Sequence, residues 1–324
     1  MKRSNLLIIT MQSVLFNFCN PINNRPIEKK FSRCHSPSLL STKFNIQSYM
    51  AEKRKDLMQS LEEAVPIKEP MELYKSMRYT ILNFEMFGPL MSIAACELVG
   101  GKQEKVMPAA CAIQMVLSMA MIHDDLPCID DTDDIRDGKP ANHNIYGASV
   151  ALLAGDALGV LAFQHMAIAT KDVGPERVLR AISELGAGVG PQLQAGQVVD
   201  VLSRGGGYSL EQLEFINFHK TGGVYGACMA VGGIIGGGED YEIEILRFYG
   251  QKVGLMLQLV DDLRDMDEDS KNDQVTYPLL VGVEKTKEVV EKLSMDAHDC
   301  LHGFDQDKAV PLVALNDNVL AYIR

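Results

Sequence analysis

Two clusters of acidic residues are the part of this sequence best suited to chemistry. The first lies between His123 and Asp130 and the second between Gln258 and Asp265. A long apolar run precedes each cluster, which predicts a buried helix with its carboxylates at the end rather than on a solvated face. The six carboxylates are those of Asp124, Asp125, Asp130, Asp261, Asp262 and Asp265.

The spacing within each cluster predicts how its side chains converge. Asp261 and Asp265 are four residues apart and therefore share a helical face, with Gln258 one turn earlier on the same side. Asp124 and Asp130 are six residues apart and would diverge on a regular helix. We therefore expect Pro127 to break the helix between them.

Hard oxygen ligands of this kind suit Mg²⁺, which is held by a few carboxylates together with waters and substrate phosphate oxygens. One such cluster alone is typical of a solvated acidic helix end. Two clusters in distant parts of the chain, each after an apolar helix, favour a shared Mg²⁺ site.

Four stretches of the sequence match the pattern of a known family. They are Ala94–Gly101, Ile122–Asp130, Leu153–Ala157 and Ala195–Asp200. Through these stretches the chain, from about Phe44 to its C-terminus, resembles the plant geranylgeranyl diphosphate synthases of the trans-isoprenyl diphosphate synthase family. The resemblance implies an all-α, isoprenoid synthase-type helical bundle with a central active-site cavity, and an allylic prenyl diphosphate of ten to twenty carbons as substrate. It also implies a homodimer or, alternatively, a heterodimer with a complete prenyl diphosphate synthase.

The resemblance assigns roles on the allylic side. All six carboxylates are implied as Mg²⁺ ligands, with Asp124, Asp125 and Asp261 as the catalytic residues. The implied contacts of the allylic substrate are Arg136, Lys220, Thr221 and Gln258, with Met119 and Ala120 at the floor that limits chain length. Taken alone, Arg136 and Lys220 are equally consistent with solvated surface charges, and the methionines before Asp124 with core packing.

The isopentenyl side departs from the family pattern. Asn83–Pro89 stands where the family has Gly-Gly-Lys-Arg-x-Arg-Pro, Leu117 replaces a histidine, and Asp137 replaces the second of two arginines. Glu85 and Asp137 would repel a nearby diphosphate by roughly several kcal/mol at intermediate dielectric. We therefore expect isopentenyl diphosphate to bind weakly.

A further departure follows the second cluster. The family's Gly-Lys-Thr-x-Gly-Lys-Asp loop is replaced by a shorter acidic segment, residues 266–274, in which Lys271 is the one cation. This change puts the exclusion of water from the diphosphate in doubt.

Three functions are consistent with these residues. The first is a Mg²⁺-dependent enzyme that ionises an allylic prenyl diphosphate without adding isopentenyl diphosphate. The second is a non-catalytic subunit that modulates a complete synthase, although the paired cysteines of such subunits are broken here, as Ser92 with Cys96 and Cys228 with Gly232. The third is an ordinary elongating prenyltransferase with a rewired acceptor site.

Composition and charge indicate which partners and which cellular location to expect. The net charge of −12 argues against a nucleic-acid partner. Residues 1–43 instead carry seven lysines and arginines and one acid, which favours a plastid transit peptide. A mitochondrial address, a secretory or membrane-anchoring signal and a disordered tail are the alternatives. Residues 44–324 are predicted to form the synthase-like domain.

Helical periodicity covers most of that domain. Strand-like alternation is absent. The predicted helices are Gln47–Glu63, Lys105–His123, Ala148–Thr170, Pro175–Leu185, Ser209–His219, Tyr241–Asp265 and Glu284–Leu301.

Overall fold

The computed structural model describes residues 44–130, 135–136, 138–203, 207–266 and 275–323. The predicted targeting segment 1–43 lies outside these residues, as do Asp137 and Lys271. Within them the fold is an all-α bundle, as predicted.

The elements follow one another with short connections. The helices are α1 (Ile46–Ala64), α2 (Met71–Asn83), α3 (Phe87–Leu98), α4 (Gln103–Asp124), α5 (Asn142–Tyr146), α6 (Ala148–Ala169), α7 (Pro175–Ala187), α8 (Leu193–Ser203), α9 (Leu210–Asn217), α10 (Gly223–Gly236), α11 (Asp240–Arg264), α12 (Tyr277–Val281), α13 (Val283–Leu301) and α14 (Gln306–Leu320). Two π-helical turns, Gly188–Gln192 and Phe218–Gly222, lead into α8 and α10, and a 3₁₀ turn, Ala321–Ile323, follows α14. β1 (Ile135–Arg136) pairs antiparallel with β2 (Lys139–Pro140).

Local sequence signals account for several helix ends. The side chain of Asn45 accepts a hydrogen bond from the backbone N–H of Ser48 at the start of α1. Ser209 and Gln212 form a reciprocal capping box at the start of α9. As predicted, α4 ends before Pro127, since its last residue is Asp124.

The glycine-rich helix α10 lies at the centre of the bundle and packs against α3, α4, α7 and α11. Small residues allow this close approach. A Cβ at Gly232 would collide with the backbone carbonyl of Ser92 on α3, and one at Gly250 on α11 with the carbonyl of Tyr225. Glycine at these positions therefore sets the distance between α10 and its two neighbours.

Two hydrophobic clusters lie on either side of α10. One is built largely from α1, α2, α4, α6 and α7, and the other from α3, α11, α13 and α14. Cys96 and Cys111 are fully buried within the first cluster, as their apolar surroundings predict. Burial raises the pKa of each thiol to about 12, so both are neutral.

Among the described residues, α4 and α6 are each long and apolar enough to cross a membrane, judged by length and composition alone. Helices α2 and α3 meet the same criterion if they are taken together as one bent span. The apolar window of α4 is 61% buried inside the fold, whereas that of α6 is 33% buried. Helix α6 consequently leaves an apolar face on the surface, formed by Leu153, Val160 and Ile168.

Substitution of Gly232 by Ala tests the packing at α10. We expect a loss of about 1–3 kcal/mol of stability, because the added methyl group meets backbone rather than a movable side chain. Gly186→Ala on α7 is the matched control, since its Cβ would meet only ring atoms of Phe163 at 3.8–3.9 Å and helix propensity favours alanine. The midpoints of thermal denaturation should fall for the first variant and hold or rise for the second. Equal midpoints would contradict the packing argument.

Candidate active site

Asp124, at the end of α4, is the meeting point of three polar side chains from other elements. Gln197 on α8 donates a hydrogen bond of 2.6 Å to its carboxylate. The Lys220 ammonium lies 3.6 Å from one carboxylate oxygen, and the Arg136 guanidinium lies 3.7 Å from the other. The Asp124 side chain remains 28% exposed, so part of it faces solvent and is accessible to a ligand.

Asp125, by contrast, is buried and held by Arg136. The Nε and Nη2 atoms of Arg136 lie 2.6 and 2.5 Å from one carboxylate oxygen of Asp125. A buried carboxylate needs such a partner, because an unpaired charge would be strongly destabilising. Arg136 is therefore at the first cluster, as predicted, but in this structure its guanidinium binds carboxylates.

The Leu153–Ala157 stretch on α6 positions His123, the first residue of the first cluster. A Cβ at Gly155 on α6 would collide with the imidazole of His123, so glycine is required there. The His123 Nε2 atom lies 3.2 Å from the carbonyl oxygen of Leu152. Helix α6 thus fixes the last turn of α4, from which Asp124 projects.

Lys220 reaches the first cluster from the π-helical turn Phe218–Gly222. Its ammonium donates a hydrogen bond of 2.8 Å to Asp200 on α8, whose other carboxylate oxygen accepts from the hydroxyl of Tyr208. A Cβ at Gly196 would lie 3.0 Å from the Lys220 Cγ atom and 3.1 Å from its backbone nitrogen. Gly196 therefore leaves the space through which Lys220 passes.

The next residue, Thr221, reaches the second cluster. Its hydroxyl donates to the side-chain oxygen of Gln258 at 2.9 Å, and the Gln258 amide donates to Asp262 at 2.9 Å. The backbone N–H of Tyr277 also donates to Asp262. Burial raises the pKa of Asp262, and these two hydrogen bonds oppose that shift by stabilising the charged form.

Asp261 is the more exposed of the two adjacent aspartates in the second cluster, since 58% of its side chain is accessible to solvent. The pKa of its carboxyl is raised to about 6, chiefly by desolvation and further by Asp265, Asp262 and Glu85, while Arg264 opposes the shift. Glu85 belongs to the segment between α2 and α3, so that segment lies close enough to Asp261 to repel it.

One continuous set of polar contacts therefore joins the two acidic clusters. It passes through adjacent residues of a single π-helical turn, with Lys220 contacting the first cluster and Thr221 the second. Such turns displace side chains from the regular helical register and occur frequently at functional sites. The predicted residues Arg136, Lys220, Thr221 and Gln258 are thus brought together with both clusters.

Among the residues that the structure describes, no group of three or more Asp, Glu, His or Cys side chains is placed to hold a metal ion by itself. Mg²⁺ binding by the two clusters therefore stays a prediction, in which the protein supplies only some of the ligands. A divalent ion held by Asp124 or Asp261 would take its remaining ligands from diphosphate oxygens and water, as Mg²⁺ commonly does. Asp125 and Asp262 are engaged by protein donors, so their predicted role as ligands would require those contacts to change.

The segment Asn83–Pro89 lacks the cationic side chains that bind a diphosphate. Phe84, Met86 and Phe87 point into the protein and are at most 5% exposed, whereas Glu85 is exposed. Leu117 packs here as well, because a Cβ at Gly88 would lie 3.0 Å from its Cδ1 atom. Apolar side chains and one carboxylate thus occupy the region where the family pattern has cations.

The predicted chain-length residues lie against the first hydrophobic cluster. Met119 and Ala120 are partly buried there, and a Cβ at Gly159 on α6 would lie 2.6 Å from the Met119 sulfur. Their role as the floor of a prenyl cavity stays a prediction.

Sequence reasoning missed four residues near the site. Gln197, Asp200 and Tyr208 support Asp124 and Lys220, and Lys139 donates a hydrogen bond of 2.7 Å to Asn83. Two of the four, Gln197 and Asp200, lie in the stretch Ala195–Asp200, which resembles the family pattern. No local signal in the sequence indicated Tyr208 or Lys139.

Comparisons with known proteins agree with this geometry. The profile of the polyprenyl synthetase family matches residues 70–289. The large subunit 1 of the heterodimeric geranylgeranyl pyrophosphate synthase of Arabidopsis thaliana chloroplasts is 46% identical over 297 residues, which cover 86% of this chain and 80% of the relative. The chloroplastic geranylgeranyl pyrophosphate synthase of Catharanthus roseus is 44% identical over 296 residues, covering 87% and 82%. These chloroplast relatives agree with the predicted plastid location.

Solved structures give the same fold. An FPP/GFPP synthase from Zymomonas mobilis superposes with a TM-score of 0.79 at 28% identity, covering 85% of this chain and 99% of that one. The geranylgeranyl pyrophosphate synthetase of Pyrococcus horikoshii superposes with a TM-score of 0.77, covering 85% and 98%, and at 23% identity it supports the fold alone. The predicted isoprenoid synthase-type bundle is therefore confirmed.

Replacement of Lys220 by Gln tests whether this cation serves the site. We expect the affinity for inorganic diphosphate at saturating Mg²⁺ to fall about tenfold, the lower end of the range for a hydrogen bond to a charged group. Lys252→Gln is the control, since Lys252 is also poorly exposed and pairs with Asp296 elsewhere in the fold. Calorimetric titration of both variants against the native protein measures the effect. Unchanged affinity in Lys220→Gln would show that Lys220 only stabilises the fold.

Proposed function

Because this chain belongs to the polyprenyl synthetase family, we propose that it is an enzyme of isoprenoid biosynthesis that ionises an allylic prenyl diphosphate with the help of Mg²⁺. We further propose that it does so without adding isopentenyl diphosphate. The observation that carries the second part is the segment Asn83–Pro89, whose apolar side chains are buried and whose exposed carboxylate, Glu85, repels Asp261.

The allylic side contains the groups that the reaction needs. Asp124, Asp130, Asp261 and Asp265 would hold Mg²⁺ against the diphosphate, with Asp125 and Asp262 beside them. Bound Mg²⁺ supplies Lewis-acid stabilisation of the charge that develops on the leaving diphosphate. The Arg136 guanidinium and the Lys220 ammonium each carry several N–H donors, so they keep their carboxylate partners while further N–H groups bind diphosphate oxygens and favour the departing anion.

The chemical step breaks the bond between the allylic carbon and the diphosphate oxygen. The electron pair of that bond leaves with the diphosphate, so an allylic carbocation remains in the cavity. Without an acceptor, the cation loses a proton to the diphosphate or is captured by water. The products are then an olefin or an alcohol together with free diphosphate. We expect Met119 and Ala120 to limit the length of the prenyl chain.

An elongating prenyltransferase is the second candidate. The plant relatives reported above are named as geranylgeranyl pyrophosphate synthases, and the Lys139 ammonium lies 2.7 Å from the side-chain oxygen of Asn83. This cation lies beside the altered segment and is the feature most suited to replacing the missing groups.

A modulatory subunit is the third candidate. The relative from Arabidopsis thaliana is the large subunit of a heterodimeric synthase, so it supports pairing with a second chain and not the modulatory role itself. The broken cysteine pairs disfavour it. Cys96 and Cys228 are fully buried in this chain, where α3 packs against α10. A homodimer remains our proposal, and the exposed apolar face of α6 formed by Leu153, Val160 and Ile168 supports it.

Product analysis separates these candidates. The mature domain is incubated with Mg²⁺ and allylic diphosphates of ten, fifteen or twenty carbons, with and without isopentenyl diphosphate. We expect release of diphosphate that does not depend on isopentenyl diphosphate, because its cationic site is missing. Elongated product at about 1 per second or faster, a rate typical of enzymes, would favour the second candidate. A stable hetero-oligomer that changes the product of a complete synthase would favour the third.

Asn substitutions at the open carboxylates test the site itself. Asp124→Asn and Asp261→Asn each remove a ligand charge while keeping size, and we expect diphosphate release to fall roughly 100-fold. The fold should persist, because Asn at position 124 can still accept the hydrogen bond from Gln197, and Asn at position 261 relieves repulsion from neighbouring carboxylates. Asp240→Asn, at the opposite and exposed end of α11, is the control. Unchanged release in either site variant would refute the proposed reaction.

A further inference from the structure

Arg264 lies at the end of α11, within the second acidic cluster. Its guanidinium Nη1 atom is 3.7 Å from a carboxylate oxygen of Asp261, and it lowers the pKa of that carboxyl against the other influences there. Between residues 258 and 266 the sequence has three aspartates, and Arg264 is the one basic residue. Arg264 is thus the local countercharge of the open carboxylate.

The C-terminal 3₁₀ turn holds this arginine from the other side. The Arg264 guanidinium carbon lies 5.2 Å from the ring centroid of Tyr322, within the range of a cation–π interaction. The following residue, Ile323, packs against the hydrophobic cluster that contains α11 and α14. The turn is therefore anchored in the core, and the guanidinium lies over its tyrosine ring.

The electrostatics of the cluster indicate why a cation is needed at this point. The negative end of the α11 dipole coincides with Asp261, Asp262 and Asp265, so an approaching diphosphate meets repulsion from the dipole as well as the carboxylates. A guanidinium carries five N–H donors in a planar fork. Because the contact with Asp261 involves Nη1, other N–H donors of the guanidinium can bind diphosphate oxygens, while the contact with Tyr322 limits the movement of the side chain.

We propose that Arg264, positioned by Tyr322, is a diphosphate-binding residue of the second cluster, and that the C-terminal turn is consequently part of the site. The proposal rests on the proposed function insofar as the ligand is a diphosphate. It adds a cation that acts together with Mg²⁺ at Asp261, and it assigns the last residues of the chain a role in holding substrate.

Calorimetric titration of inorganic diphosphate at saturating Mg²⁺ tests the proposal. We expect Arg264→Leu to weaken binding about tenfold, in line with the loss of a charge-assisted hydrogen bond. Tyr322→Ala should weaken it about threefold, the scale of an exposed cation–π contact, and Tyr322→Phe should restore it because the ring is retained. Lys285→Leu is the matched control, since it removes another exposed ion pair between residues three apart, with Glu288 on α13.

Diphosphate binding and the proposed reaction can fail independently, because inorganic diphosphate has no allylic bond to ionise. A native protein that binds diphosphate but releases none from allylic substrates would refute the proposed function and leave this inference standing. Affinity of Arg264→Leu within twofold of the native value, or above it, would overturn the inference. Absence of diphosphate binding by the native protein would overturn it too.

A second measurement checks the positioning role of Tyr322. If the cation–π contact holds the C-terminal turn, carboxypeptidase should release the terminal residues faster from Arg264→Leu than from Lys285→Leu, and added Mg²⁺ with diphosphate should slow release from the native protein. Equal rates for both variants would show that Tyr322 does not depend on Arg264.

Discussion

The site depends on an electrostatic conflict: two helices end in carboxylates at the point where their own dipoles are negative. Asp124 closes α4, and Asp261 lies in the last turn of α11. The protein offsets this charge with side chains from other elements, of which Arg136 and Lys220 serve the first cluster and Arg264 the second. Each of these cations lies beside a carboxylate, so the protein itself offsets part of the negative charge of the two clusters.

The sequence predicted the parts of this arrangement that depend on local pattern. The long apolar helices before each cluster and the break before Pro127 follow from periodicity and residue type. Arg136 and Lys220 are ambiguous as single residues, and the structure brings both to Asp124. Their substrate contacts, like the metal-binding role of the six aspartates, stay predictions.

Features that depend on packing between distant segments were missed. Helix α10 is so rich in glycine that its helical period is weak, yet glycine is what allows its close contact with α3 and α11. Lys139 donates to Asn83, 56 residues away, and Tyr208 donates to Asp200, eight residues away on α8, and nothing local in the sequence marks either residue. The two-residue pair of β1 and β2 is likewise too short for an alternating pattern to reveal.

The two halves of the site differ in what they retain. The half proposed to bind the allylic substrate keeps its six aspartates, Arg136 and Lys220, although the loop after Asp265 differs from the family pattern, whereas the segment Asn83–Pro89 buries its apolar side chains and exposes Glu85. A loss that is heavier on the isopentenyl side is what single-substrate ionisation would require. The most direct test is calorimetric titration of isopentenyl diphosphate into the protein already saturated with Mg²⁺ and a non-ionisable allylic thiolodiphosphate. Our account predicts no saturable binding up to millimolar concentrations, and saturable binding at micromolar concentrations would contradict it.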